Sequence, residues 1–244
     1  MTSMASIVAC GGFGTAVTPE TDAGVDAAPP RFCPGGPDAL FCADFDAADA
    51  FEGWDLRSEK LGGTLAGVTS DPIQSRVLEA AIQPLPAGAA GQSEALLLKG
   101  VSRLASRGVS VDADLDLTEV EAMPKDEGAT TMTIAVSIDP PRLVSLVLFT
   151  GRAGLVAVYP PKSEGEPVFH AFKRPERSGL VHYRLEADLD RGTTSLSIAG
   201  VPVITDAKGI TSAPLEQILV TSGIVGKPAS RVAIRYDNYR VAKL

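Results

Sequence analysis

Val181-His182-Tyr183-Arg184-Leu185-Glu186-Ala187-Asp188-Leu189-Asp190 alternates without a break between two kinds of side chain. Val181, Tyr183, Leu185, Ala187 and Leu189 fall on one side, and His182, Arg184, Glu186, Asp188 and Asp190 on the other. A period of two is the repeat of an extended chain, so this segment is a strand with one dry face and one wet face. The same alternation sets Val109, Val111, Ala113, Leu115 and Leu117 against Ser110, Asp112, Asp114 and Asp116. It sets Val232, Ile234 and Tyr236 against Ala233, Arg235 and Asp237. Further strands are expected at 77–82, 94–98, 130–138, 143–149, 154–159, 168–172, 194–198, 201–204 and 218–222. Asp139-Pro140-Pro141, Gly151-Arg152-Ala153-Gly154, Asp190-Arg191-Gly192 and Ala199-Gly200 separate them with turn chemistry. No segment shows the 3.6-residue period of an amphipathic helix of three or more turns. Many short strands at this spacing make an all-β sandwich or barrel.

The chain has 244 residues, 45% of them hydrophobic, which suffices for one large all-β domain with a real core. Its 22 Lys and Arg against 30 Asp and Glu leave a net charge of −8. An acidic chain without a basic run lacks the clustered cations that grip phosphate backbones, so no nucleic-acid partner is expected. No run approaches the roughly 20 apolar residues of a membrane-spanning helix.

The first 36 residues read differently from the rest. Ile7-Val8-Ala9-Cys10-Gly11-Gly12 resembles a bacterial lipobox, in which the cysteine is acylated and becomes the mature N-terminus. Residues 1–9 are then the remnant of a signal peptide. Residues 10–36 hold Gly, Ala, Thr, Pro and acids with few large apolar side chains, the composition of a flexible tether. The folded domain is expected over 37–244. The other reading is an unstructured N-terminus with a stray cysteine. Of the three cysteines, Cys33 and Cys42 flank the turn-rich Pro34-Gly35-Gly36-Pro37 and are expected to form a disulfide if the protein is exported. Two free thiols are the alternative in a reducing compartment.

Three stretches are similar to the concanavalin A-like lectin/glucanase superfamily, a two-sheet antiparallel jelly roll. Leu40-Phe41-Cys42-Ala43-Asp44-Phe45-Asp46, followed by Trp54-Asp55, resembles its opening strand. Gly179 to Leu185, then Asp190-Arg191-Gly192 and Ser195 to Val203, resembles a strand, turn and hairpin of the family, with Val181 where Trp is common and Ala199-Gly200 in place of Asp-Gly. Arg235-Tyr236-Asp237-Asn238-Tyr239-Arg240-Val241 resembles the closing strand. The resemblance implies a jelly-roll β-sandwich over about 200 residues. It also implies a carbohydrate or cell-surface partner, and a structural Ca²⁺ held by Asp237 of the closing strand and Asp44 of the opening strand.

Glucanases of the superfamily place a Glu-x-Asp-x-x-Glu-like strand on the concave face. Asp112, Asp114 and Asp116, with Glu119 and Glu121, are the nearest counterpart here, and neither spacing nor residue types match. They read instead as a solvated outer face. His170 and His182, the only histidines, lack a nucleophile elbow or a metal-ligand spacing. Sugar sites use rings with an apolar face. Of Tyr159, Phe169, Phe172, Tyr183 and Tyr239, the Phe169-His170-Ala171-Phe172 stretch is the expected rim, with Phe169, His170 and Phe172 as the carbohydrate-binding candidates. The expectation is a non-catalytic, extracytoplasmic recognition module, lipid-anchored in the cell envelope or secreted. A polysaccharide hydrolase or lyase and a structural envelope lipoprotein are the alternatives.

Overall fold

The computed structural model describes residues 37–70, 75–102, 107–120, 128–138, 141–149, 152–159, 166–174, 176, 179–209 and 217–244. Cys10, Cys33 and the tether at 10–36 lie outside the described residues. Fifteen strands are described: β1 (Ala39–Ala43), β2 (Leu56–Lys60), β3 (Thr64–Ser70), β4 (Ser75–Ile82), β5 (Ser93–Ser102), β6 (Gly108–Asp116), β7 (Gly128–Ile138), β8 (Pro141–Phe149), β9 (Ala153–Tyr159), β10 (Val168–Lys173), β11 (Val181–Asp188), β12 (Thr193–Ile198), β13 (Val201–Lys208), β14 (Gln217–Gly226) and β15 (Val232–Lys243). They form two antiparallel sheets. The larger runs β13-β12-β11-β6-β15-β4-β3 with β1 added against β15, and the smaller runs β10-β9-β8-β7-β14-β5-β2. The sandwich is therefore as expected. Strands β2 and β3 were not foreseen. Leu56-Arg57-Ser58-Glu59-Lys60 is a polar edge strand with no alternation, and Gly67 interrupts β3.

The alternation sorts side chains as the sequence demands. Val109, Val111, Ala113 and Leu115 of β6 and Tyr183, Leu185 and Ala187 of β11 face inward, into one core shared with Leu97, Met132, Ile134, Leu146, Val156 and Val220 of the other sheet. Burying each such aliphatic side chain contributes about 1.5–3 kcal/mol. Strand β15 is long enough to pair with β4 through Val232–Tyr236 and then with β1 through Tyr239–Ala242, while β6 follows its other edge. The chain's first and last strands are thus joined. Cys42 of β1 is disulfide-bonded; its pairing with Cys33 remains the expectation from sequence, because Cys33 is not among the described residues.

Aromatic packing closes this end of the sandwich. Trp54 meets Phe41 edge-on at 4.9 Å and Tyr239 at 5.0 Å, and lies parallel to Phe45 at 6.5 Å between centroids. Phe45 adopts φ 59°, a left-handed conformation that costs a bulky residue about 1–3 kcal/mol. The cost is met because that conformation turns the ring into the core, where it is 2% exposed.

Two tyrosines of β15 cross the interior to the opposite sheet. The Tyr239 hydroxyl donates to the Thr221 carbonyl of β14 at 3.2 Å. The Tyr236 hydroxyl reaches the Gly223 carbonyl of β14, with the Thr131 carbonyl of β7 at 3.3 Å. Two of these acceptors, Gly223 and Thr131, lie where the ladder is irregular. The β14–β7 register shifts between Ser222 and Val225, and the β7–β8 register between Thr130 and Met132. Gly223 sits in that irregularity at φ 140°, and a Cβ there would lie 2.1 Å from the Ala95 carbonyl oxygen. Tyr236→Phe is expected to cost about 1–2 kcal/mol, because it strands a buried carbonyl. Gly223→Ala is expected to cost about 2–4 kcal/mol. Urea unfolding of the two variants measures both, and unchanged midpoints would show that the bulge bears no such load.

Candidate functional site

The outward face of the larger sheet carries a ladder of charge. Register places Asp112, Asp114 and Asp116 of β6 between β11 and β15, with Arg184 opposite Asp112, His182 opposite Asp114 and Arg235 opposite Asp116. His182 Nδ1 is 2.9 Å from Asp114 Oδ1, and Nε2 is 3.4 Å from Asp112 Oδ1. Arg184 binds Asp112 at 3.3 Å and Glu186 at 2.7 Å. The three aspartates are thus not a solvated face, as the sequence suggested. Asp112 is only 5% exposed, and each acid has a basic neighbour from a flanking strand. The sequence held this signal in the basic residues at the same parity of β11 and β15, but only the register says which acid meets which base. Hydrogen bonds to Asp112 and Asp114 hold the His182 imidazole protonated, raising its pKa to about 9 against the opposing effect of burial.

Asp237 is the exception on this face. It faces Asp114 across the strands at a bulge where Asn238 takes φ 51°. Burial first, and then the charges of Asp46, Asp114 and Asp44, push its carboxyl up to about 7 despite the Asn238 backbone N–H that it accepts at 2.8 Å. Asp44 and Asp237, the carboxylates named from sequence for calcium, do share one electrostatic field. Yet Asp46 Oδ1 accepts the Arg76 N–H at 2.9 Å, and Asp114 accepts from Asn238 Nδ2 at 2.7 Å. Among the described residues no three His, Cys, Asp or Glu side chains are placed to hold a metal ion.

The outward face of the smaller sheet is different in kind. Pairing aligns Leu56, Leu98, Thr221, Thr133, Ser145, Ala157 and Phe169 in one row across all seven strands. At strand spacing this row is about 29 Å long. Its middle carries small and hydroxylated side chains, with Thr133 Oγ1 3.0 Å from Ser145 Oγ. Its ends carry Leu56 and Phe169, each 56% exposed. Ala157, Ser145 and Thr221 in the middle are buried, so the row is a trough whose floor is largely closed to solvent between apolar rims. At one rim Phe169 meets Tyr159 edge-to-face at 6.2 Å. The outward positions of the central strand β8 are Leu143, Ser145 and Val147.

The three predicted carbohydrate-binding residues do not form one site. They lie on β10, and the period of two divides them. Phe169 points outward. His170 turns the other way, with Nε2 3.1 Å from the Lys208 carbonyl of β13, so it ties the edges of the two sheets together. Phe172 packs against the core, its ring over Gly154, where a Cβ would lie 2.3 Å from the ring. Tyr183 and Tyr239 are core residues. Tyr159 and Phe169 are the members of the aromatic set that share an outer face.

No family model matches the chain, and no curated protein matches it in sequence. Solved structures do match its fold. The endo-β-1,4-glucuronan lyase of the fungus Trichoderma reesei aligns with a TM-score of 0.65 at 12% identity, covering 84% of this chain and 96% of that one. The alginate lyase vAL-1 from Chlorella virus gives 0.59 at 9% identity, over 85% and 100%. A GH16 protein of Bacteroides ovatus, in complex with a mixed-linkage glucan product, gives 0.58 at 11% identity, over 83% and 99%. At these identities the likeness establishes the fold alone.

Both perturbed groups bind protons more tightly in the folded chain. Asp237 keeps its proton to about pH 7 against an ordinary value of 3.8, and His182 keeps its proton to about pH 9 against 6.5. Folded protein therefore holds more protons than unfolded protein across both windows, and stability falls as pH rises. The fall is expected between about pH 4 and 7 from Asp237 and between about 6.5 and 9 from His182. Asp237→Asn should abolish the first part, and His182→Asn the second. For half-exposed His182, solvent screening limits the effect to about 1 kcal/mol. Melting curves across this range measure it, and a stability that rises from pH 5 to 8 would refute the assignment. Repeating the series with excess calcium or chelator tests the ion, since a bound cation would ionise Asp237 and flatten the lower window.

Proposed function

We propose that this chain, whose fold is similar to that of the two-sheet jelly-roll structures above, is a non-catalytic recognition module that binds polysaccharide or cell-surface glycan in the trough of the smaller sheet. The observation that carries the reading is the exposed Phe169–Tyr159 pair at the rim of a row of hydroxyls. A ring face accepts the apolar C–H face of a sugar, while half-buried Thr133 brings a hydroxyl to the same row. The row runs across seven strands, a length suited to a chain rather than to a single small molecule.

Anchoring through an acylated Cys10, with residues 10–36 as tether, would present this face from the cell envelope. A Cys33–Cys42 disulfide fits the same exported location. A structural calcium ion near Asp237 and Asp44 belongs to the same reading, with carbonyl ligands completing it.

A glycan array probed with the full chain should identify bound glycans, and calorimetry on the positives should give their affinities. Phe169→Ala is expected to weaken binding about tenfold while leaving the melting temperature in place, because the ring is exposed. Failure to bind any glycan, or full affinity in Phe169→Ala, would overturn the placement of the site.

A further inference from the structure

A second groove, of about 410 Å³, lies on the outward face of the larger sheet, on the opposite side of the sandwich from the trough. Its floor is β12. Thr193, Ser195 and Ser197 alternate along that strand, so three hydroxyls face the groove about 6.8 Å apart. One wall is β11 with Arg184, Glu186 and Asp188. The other is β13, whose register shifts against β12 and whose Asp206 takes φ 48°. That distortion leaves the Asp206 N–H to donate to Ser195 Oγ at 3.0 Å, and the Ser195 hydroxyl proton stays available to a ligand.

Arg107 and Arg191 stand over one end, with side chains 55% and 65% exposed. Both face a single carboxylate, Asp188, at 3.8 and 4.0 Å, which is ion-pair range and beyond hydrogen-bond length. Asp188 is held by other partners, since its Oδ1 accepts the backbone N–H groups of Asp190 and Arg191. One acid therefore positions two guanidinium groups without using their N–H donors, and the pair keeps one net positive charge. Arg184 differs, because Glu186 and Asp112 already hold it. Glu186 is spent on Arg184, and Asp206 lies on the far wall.

We propose that this groove binds an anionic saccharide, its carboxylate or sulfate group gripped between Arg107 and Arg191 and its ring hydroxyls laid along Thr193, Ser195 and Ser197. Two forked donors match a planar or tetrahedral oxyanion, and a strip of hydroxyls matches a polyhydroxylated ring. A bare anion would use the arginines and leave the floor unused. A neutral sugar would use the floor and leave the arginines unused.

The test is calorimetry on the full chain with a uronate trisaccharide, a sulfated trisaccharide, a neutral trisaccharide and inorganic sulfate. One or both acidic trisaccharides should bind at least tenfold more tightly than the neutral one and than inorganic sulfate, and more weakly as salt rises. The paired variant Arg107→Ala with Arg191→Ala should lose at least tenfold for the acidic sugar. Phe169→Ala should leave that binding intact, which separates this groove from the trough. Arg107→Lys with Arg191→Lys keeps the charge and removes the forks, and should fall between. Equal affinity for neutral and acidic sugars, unchanged binding in the alanine pair, loss with Phe169→Ala, or no binding of either acidic sugar would each overturn the proposal.

Discussion

Tyr236 and Tyr239 bond the two sheets through the middle of the core, whereas His170, Arg57 and Glu59 bond them at the edges. Hydrophobic burial holds sheets together without direction, so it sets their separation far better than their register. A phenol that must reach a particular carbonyl across the core does set register. Tyr236 can donate to Gly223 only if β15 lies over the irregular part of β14, and Tyr239 to Thr221 only if β15 runs on in the same line. The irregularity is itself enforced, because Gly223 approaches Ala95 too closely for any side chain. Burial of both phenols pushes their pKa values well up, so they remain hydrogen-bond donors.

The rest of the closing strand follows from that alignment. With Tyr236 and Tyr239 both directed inward, three residues apart, the strand must absorb one extra residue between them. Asn238 does so in the left-handed conformation that asparagine tolerates. The bulge brings Asp237 opposite Asp114, and burial first, then the charges of Asp46, Asp114 and Asp44, explain a carboxyl that holds its proton to about pH 7. It also directs Asn238 Nδ2 onto Asp114, the same acid that grips His182. One packing demand in the core thus shapes the electrostatics of the outer face.

The two outer faces divide the labour of the sandwich. The larger sheet presents acids and bases that satisfy one another, a polar surface in which the groove at β11–β13 offers forked donors that hydrogen bonds have not yet used. The smaller sheet presents hydroxyls and methyls between apolar rims. The first surface suits a charged partner, the second an uncharged chain laid flat on rings and hydroxyls. Nothing in the fold ties these faces to one ligand, since each is built from side chains that point away from the core and can vary without disturbing it.

Alternation alone determined that this chain is an all-β sandwich or barrel, because a period of two puts whole rows of side chains on one face whatever their partners, and the pairing of strands into two sheets decided for the sandwich. The strands β4 to β15 were legible for that reason, and Phe169 was legible as one ring of an aromatic stretch. Strands β2 and β3 were not, since a polar edge strand and a glycine-broken one leave no alternation to read. Sequence also grouped His170 and Phe172 with Phe169 by proximity along the chain. Only the pairing of β10 with β9 showed that adjacent residues of a strand serve opposite faces. The row from Leu56 to Phe169, the arginines that share Asp188 and the acids that crowd Asp237 all join residues from distant strands. Their meeting depends on register, and register is settled by core packing and by the reach of two tyrosine hydroxyls, neither of which is local to any stretch of sequence.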